Sequence, residues 1–292
     1  MPILLTGASG LLSGYLLREI VQAGEEVCAW SSSRSGRDGL LALEPVDLVD
    51  PDRVRAAFRK ARPEIVIHTA AVASVAECHR DAERARQVNT LGTALLAELA
   101  ATAGVRMVYV STDLVFHGEK GNYREDDEAK PLSIYGRTKR DAEQAVLAFP
   151  EHLVVRASLL FGPTVNSRRG FFDQQLEALR ADSPITLFAD EWRTPLSLAT
   201  AAHALVALAQ SDCTGIIHLG GPERMSRLDM GLRLAAHLGL DASGIVRATR
   251  DSMPSAEPRP RDVSLDSSRW RGLFPDLDWA GYEESLQAMA VG

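Results

Sequence analysis

The chain has 292 residues, 46% of them hydrophobic and 24% charged, with a formal net charge of −7. That composition fits a soluble globular protein, either one large domain or a main domain with a smaller lobe. The acidic balance, with no basic stripe, excludes a nucleic-acid surface, and no apolar run is long enough to cross a bilayer.

Met1-Pro2 leads straight into the apolar run Ile3–Thr6, which reads as a strand and leaves no room for a signal peptide. Gly7 and Gly10 follow it, and a helix is predicted over Leu11–Ala23. Further strands are predicted over Glu26–Trp30, Glu64–Thr69, Arg106–Ser111 and Leu153–Ala157, alternating with helices over Pro51–Ala61, Ala82–Ala103 and Ile134–Phe149. Gly24 and Gly104 stand where helices should stop, and Pro51 where one should start. This alternation predicts an α/β fold, a doubly wound parallel sheet wrapped by helices. The acidic stretch Glu119–Lys130 reads as a solvated loop.

After Phe161-Gly162-Pro163 the alternation fails. Helix-like segments (Phe171–Ala181, Leu198–Gln210, Ser226–Leu238) mix with short strands (Ile185–Phe188, Ile216–Leu219), and Pro254, Pro258 and Pro260 interrupt the end of the chain. The expectation is a dinucleotide-binding core over 1–162. Residues 163–292 should form mostly a smaller substrate lobe over the mouth of the sheet, with some segments returning to the core. Ligands of such sheets bind beyond the carboxyl ends of the strands.

Gly7 and Gly10 lie between a strand and a helix, the context a phosphate-binding turn needs, with free N–H groups and the helix dipole facing a pyrophosphate. A third glycine at the usual spacing would fall at Ser13. At the end of the second strand, Ser31-Ser32-Ser33-Arg34 offers no carboxylate to repel a 2′-phosphate, and Arg34 suits one as a bidentate partner. NADP(H) is therefore preferred, with NAD(H) possible. Asp47-Leu48, after the next short strand, is placed to meet the adenine edge; a helix cap for the segment starting at Pro51 accounts equally well for Asp47 or Asp50. His68 ends a strand near this site, where it could touch ribose or phosphate or simply bond to the backbone.

Tyr135 and Lys139 are four residues apart in a predicted helix, so they share a face. An ammonium beside the phenol would pull its pKa down from roughly 10 and make Tyr135 a general acid/base near neutrality. Ser111-Thr112-Asp113 closes a strand and supplies a hydroxyl to hydrogen-bond a substrate carbonyl. In the second part, Arg193 is the candidate for a substrate diphosphate, with a surface arginine as the alternative. Trp192 beside it would stack on a base or sugar, or else be a partly buried lobe aromatic. The seven histidines form no ligand cluster and no paired-cysteine motif occurs, so no metal is expected. Cys28, Cys78 and Cys213 are scattered and read as buried thiols of a reducing, cytoplasmic compartment.

Over nearly its whole length the chain resembles the extended short-chain dehydrogenase/reductase family, with its Rossmann-like core. Thr6-Gly7-Ala8-Ser9-Gly10, His68-Thr69-Ala70-Ala71, Asn89, Ser111–Phe116 and Tyr135-x-x-x-Lys139 carry that likeness. The closest likeness is to the dTDP-4-dehydrorhamnose reductase group, through Tyr109–Phe116, Gly215–Pro222 and Arg259–Asp266. The resemblance implies hydride delivery to C4 of a 4-keto-6-deoxy sugar nucleotide, with Thr112, Tyr135 and Lys139 catalytic. It implies cofactor contacts from Gly7, Ser9, Gly10, Leu11, Leu12, Ser31, Ser32, Arg34, Asp47, Leu48, His68, Ala70, Ala71, Asn89, Tyr135 and Lys139. Substrate contacts would come from Thr112, Asp113, Leu159, Trp192 and Arg193. Leu159 departs from the group, where a tryptophan often stands. Alternatives on the same scaffold are a nucleotide-sugar epimerase or dehydratase, and a non-catalytic partner resembling the regulatory subunit of methionine adenosyltransferase. The apolar Ala82–Ala103 segment leaves a face for homodimerisation, which the family commonly forms with a four-helix bundle.

Overall fold

The computed structural model describes residues 1–292 apart from 33–35, 39–40, 167 and 290–292. All four residues of β1 (Ile3–Thr6) are buried, as a strand covered on both faces requires. Ile3 and Leu5 join the core on one side of the sheet and Leu4 the core on the other, the period-two alternation of a strand. After α1 (Leu11–Gln22) and β2 (Val27–Ser31) come β3 (Gly36–Asp38) and β4 (Leu41–Pro45), an antiparallel pair of which β3 was not foreseen in the sequence. Next are α2 (Pro51–Ala61), β5 (Ile65–His68), α3 (Val75–Arg80) and α4 (Ala82–Ala85). α5 (Thr93–Thr102), β6 (Arg106–Thr112), α6 (Ile134–Leu147) and β7 (Leu153–Ala157) complete the first part.

The helix expected over Ala82–Ala103 is present, with a change of winding inside it. Between α4 and α5 the chain is π-helical over Arg86–Gly92, and widened turns of this kind recur at functional sites. Asn89 lies inside it and is fully buried. Its side chain accepts from the Val72 amide at 2.8 Å and donates to the Val72 carbonyl at 3.1 Å and to Thr138 at 3.0 Å.

The remaining elements are β8 (Leu160–Phe161), α7 (Phe171–Arg180), β9 (Ile185–Phe188), β10 (Trp192–Arg193), β11 (Leu196–Ser197) and α8 (Leu198–Ala209). They are followed by β12 (Gly215–Leu219), β13 (Met225–Ser226), α9 (Arg227–Leu238), β14 (Ile245–Ala248), α10 (Ser268–Leu273) and α11 (Tyr282–Ala288). The main sheet runs β12-β7-β6-β5-β1-β2-β4-β3, parallel throughout except at β3. Helices flank both faces, and the architecture is Rossmann-like. α1 and α8 pack with one face of the sheet, and α2, α5 and α6 with the other. A separate apolar cluster joins Phe161, Phe172, Leu179, Met225, Met230, Leu234, Tyr282 and Leu286 in the later part of the chain.

Strand order reverses between β1 and β5, so their following segments diverge and open a crevice at their carboxyl ends. The acidic stretch Glu119–Lys130 is more than a solvated face. Tyr123 is buried against Phe116, ring centroids 4.1 Å apart, and Glu125 accepts the His218 amide at 3.0 Å, so the loop is fastened to the sheet. Cys78 is buried, whereas Cys28 and Cys213 are only half-buried. Among the described residues no helix is long and apolar enough to cross a membrane.

Candidate active site

Gly7 turns the chain out of β1 with φ +69°, a conformation that favours glycine. An added Cβ there would lie 2.7 Å from the Ala70 backbone. Gly10 caps α1 without any side-chain bond, and no acidic residue occupies the first helical turn. The amides of Leu11, Leu12 and Ser13 therefore lack helical acceptors, and these residues fit a dinucleotide pyrophosphate. Ser13, where a third glycine was expected, is buried with its hydroxyl 2.9 Å from that of Thr69, which in turn donates to the Thr6 carbonyl at 2.7 Å. The substitution thus ties α1 to β1 and β5. Asn166 donates to the Gly10 carbonyl at 2.8 Å and Tyr15 to the Pro163 carbonyl at 2.7 Å. This closing of the turn by the segment after β8 has no signature in the sequence.

At the end of β2, Ser31 is buried and Ser32 exposed, while Arg34 lies outside the described residues. Asp47 is held by Arg84 through two bonds of 3.1 and 3.0 Å, and Leu48 beside it is buried. The cap of α2 is Asp50, which accepts the Arg53 amide at 3.0 Å. Ser9, Ala70 and Ala71 are half-buried around the turn.

The imidazole of His68 corrects one expectation. It is fully buried, with Nδ1 2.5 Å from the Thr6 hydroxyl and Nε2 2.8 Å from that of Thr93. Thr93 donates its proton to the Asn89 carbonyl at 2.7 Å, so it accepts from Nε2–H, and Nδ1 accepts from Thr6. Burial, and then the charge of Lys139, lower the His68 pKa to about 3. The ring is neutral with both nitrogens engaged, and its side chain has nothing left for a ribose or phosphate. It links the β1 turn to Asn89 instead.

Thr112 ends β6, and its Oγ1 accepts the Leu114 amide at 3.2 Å while lying 3.3 Å from Asp113 Oδ1. Tyr135 is the second residue of α6, whose cap Ser133 accepts the Gly136 amide at 3.0 Å. Gly136 is what lets α6 approach β6: a Cβ there would fall on the Leu114 carbonyl and 2.8 Å from Pro131 Cβ. The Thr112 hydroxyl and the Tyr135 phenol accordingly face each other.

The expected electrostatics of the pair do not hold. Burial raises the Tyr135 pKa above its ordinary value of 10, with the Thr112 hydroxyl opposing and Asp113 reinforcing the shift. Lys139 does not draw the phenol down. Its Nζ donates to the Val110 carbonyl at 2.7 Å and lies 4.2 Å from the centroid of the Tyr109 ring. Burial lowers Lys139 to about 7, opposed by Glu143.

On the other side of Thr112, Asp113 accepts from Ser158 at 3.1 Å and lies 3.4 Å from Arg193 Nε. Burial raises its pKa, with Arg193 the main opposing influence. Arg193 is thus a buried brace, its Nη1 donating to the Trp192 carbonyl at 3.0 Å. Trp192 is half-buried beneath the guanidinium of Arg224, 4.0 Å from its ring. Leu159 is half-buried and packs on the later apolar cluster.

Several contributing residues escaped the sequence reading. Glu143, one turn beyond Lys139, bonds Ser111 at 2.5 Å and pairs with Arg156 at 2.8 Å. Since Ser111 and Arg156 are register partners of β6 and β7, this buried pair clamps the strand end that carries Thr112. Glu257 accepts the Ile134 amide at 2.8 Å, so the proline-rich segment caps α6. A glutamate two turns beyond Tyr135 on its own face was the available signal; the Glu257 contact had none.

A probable dTDP-4,6-dihydroxy-2-methyloxan-3-one 4-ketoreductase of Streptomyces antibioticus is 33% identical, over 96% of this chain and 92% of that protein. The dTDP-4-dehydrorhamnose reductase of Mycolicibacterium smegmatis is 30% identical, over 99% of this chain and 86% of its own. The crystal structure of a dTDP-4-dehydrorhamnose reductase from Clostridium acetobutylicum superimposes with a TM-score of 0.87 at 25% identity, covering 99% of this chain and 98% of that one. The profile of the RmlD substrate binding domain matches residues 1–291, and the chain belongs to that family.

Proposed function

We propose that the protein reduces the 4-keto group of a 4-keto-6-deoxy nucleotide sugar with NADPH. The observation that carries this reading is the close approach of α6 to the end of β6 over Gly136, which sets the half-buried Tyr135 phenol beside Thr112. Reductases of such sugars among the relatives, at 30% and 33% identity over nearly the whole chain, support it. NADPH, when bound, supplies the hydride. Thr112 turns its hydroxyl proton from the long contact with Asp113 to the substrate carbonyl oxygen, because its own acceptor side already serves the Leu114 amide. Tyr135 gives its proton to the oxygen as charge develops there. Lys139 serves the ribose hydroxyls from the Val110 carbonyl. The Ser31-Ser32-Ser33-Arg34 run, free of carboxylates, favours NADPH over NADH.

NADPH oxidation at 340 nm with a panel of 4-keto-6-deoxy sugar nucleotides tests the reading. Turnover is expected with one of them, and Tyr135→Phe should cut kcat by roughly 10²–10⁴ while leaving NADPH binding intact. Equal turnover by the variant would remove Tyr135 as proton donor.

Homodimerisation belongs to the same reading. Leu91 is exposed in the π-helical segment and Leu147 at the end of the adjoining α6, an apolar surface a second copy would cover. Sedimentation should give a dimer mass, and a monomer mass at every concentration would rule it out.

A further inference from the structure

Three arginines and two carboxylates gather beside the end of β6. β10 and β13 pair antiparallel, Trp192 opposite Ser226 and Arg193 opposite Met225. Arg227, two residues past Met225, opens α9 and lies near enough to Arg193 for the two charges to repel. Two of the three guanidiniums are taken. Arg193 Nε lies 3.4 Å from Asp113, and Arg259 Nη1 lies 3.0 Å from Glu191. Arg227 senses both carboxylates but forms no ion pair with any described residue. It is half-buried, with its guanidinium over the ring of Phe171, 4.1 Å from the centroid. Burial and the neighbouring Arg193 lower its pKa to about 10, which leaves it fully charged at neutral pH. The cluster therefore holds one positive charge in excess.

We propose that Arg227, seated on Phe171, is the residue that binds the diphosphate of the nucleotide-sugar substrate. The role passes to it from Arg193, which holds Asp113 in place. A 4-keto-6-deoxy sugar carries no charge of its own, so the diphosphate is the one anion such a substrate offers to an unpaired guanidinium. An arginine presents several donors in a planar fork that matches phosphate oxygens, and the aromatic ring beneath holds that fork in place. The inference rests on the nucleotide-sugar reading above.

The test is calorimetric titration of the NADP⁺-loaded enzyme with dTDP and with thymidine. Arg227→Met should weaken dTDP by roughly 10–100-fold and leave thymidine, NADP⁺ affinity and the melting temperature unchanged. Arg227→Lys should recover part of the loss. With substrate, Arg227→Met should raise KM far more than it lowers kcat, as loss of uniform binding does. Unchanged dTDP affinity in Arg227→Met overturns the proposal, as does an equal loss of dTDP and thymidine, which would make the residue structural. If the wild-type enzyme, titrated with UDP as well, binds neither dTDP nor UDP, the nucleotide-sugar reading itself falls and takes the proposal with it.

Discussion

Tyr135 and Lys139 are shifted in opposite directions by one cause, the loss of water around their charged forms. For the phenol this favours the protonated form and makes it the weaker acid, so its proton leaves only as charge develops on the substrate oxygen. For Lys139 it makes a charge that changes near neutrality. The folded chain releases the Lys139 proton near 7, whereas the unfolded chain keeps it to about 10.5. Between those values the unfolded state binds more protons, so stability rises with pH across that window. Lys139→Met should flatten this part of the profile. Thermal melts of both proteins at pH 7 and pH 9 would show it, and parallel shifts would mean that Lys139 does not titrate there. Spacing within one element was enough to put Tyr135 and Lys139 on a common face. It was not enough to choose the ammonium's acceptor, because the Val110 carbonyl and the Tyr109 ring arrive from another strand. His68 misled for the same reason: its type and place suggested a ligand contact, but Thr6 and Thr93 take both ring nitrogens.

α6 does the positioning, and Gly136 sets how near it comes. Any side chain there meets the Leu114 carbonyl, on backbone that follows Thr112 directly. Gly136→Ala should therefore cost at least about 1–3 kcal/mol of stability, the usual penalty for overpacking. It should also lower kcat sharply by parting Tyr135 from Thr112. Chemical denaturation and steady-state kinetics check the two effects, and wild-type values in both would refute the close approach. The helix itself was legible from its place in the alternation of strands and helices, expected over Ile134–Phe149 and found over Ile134–Leu147. Less legible were the elements shaped by contacts far away in sequence. The π-helical turn at Asn89 accompanies its bonds to Val72 and Thr138, and residues 119–130 read as solvated because the burial of Tyr123 depends on Phe116 and the segment around Leu265. A short strand before Asp47 was expected, but its antiparallel partner β3 was missed because Gly36-Arg37-Asp38 carries no apolar residue.

Across the molecule, the parallel sheet brings the turn after β1, the end of β5 and the end of β6 to one edge, where Thr112 and Tyr135 meet. That arrangement was readable from the alternation of strands and helices, since each crossover returns the next strand parallel. That some later segments return to the core was also expected; which of them join the sheet, and which gather beside the end of β6, was not. β12 adds to the sheet beside β7 and α8 packs on α1, while β10, β13 and the start of α9 collect arginines near Asp113. No periodicity in the sequence announces a pair of two-residue strands. The central claim is that a hydride reaches the keto carbon and Tyr135 supplies the proton. The most direct measurement is turnover of a dTDP-4-keto-6-deoxy sugar with C4-deuterated NADPH, followed by NMR of the product. One deuterium at the new carbinol carbon, with stoichiometric cofactor oxidation and near abolition by Tyr135→Phe, is the predicted result. A sugar returned with an inverted centre, no deuterium and no net cofactor consumption would contradict it.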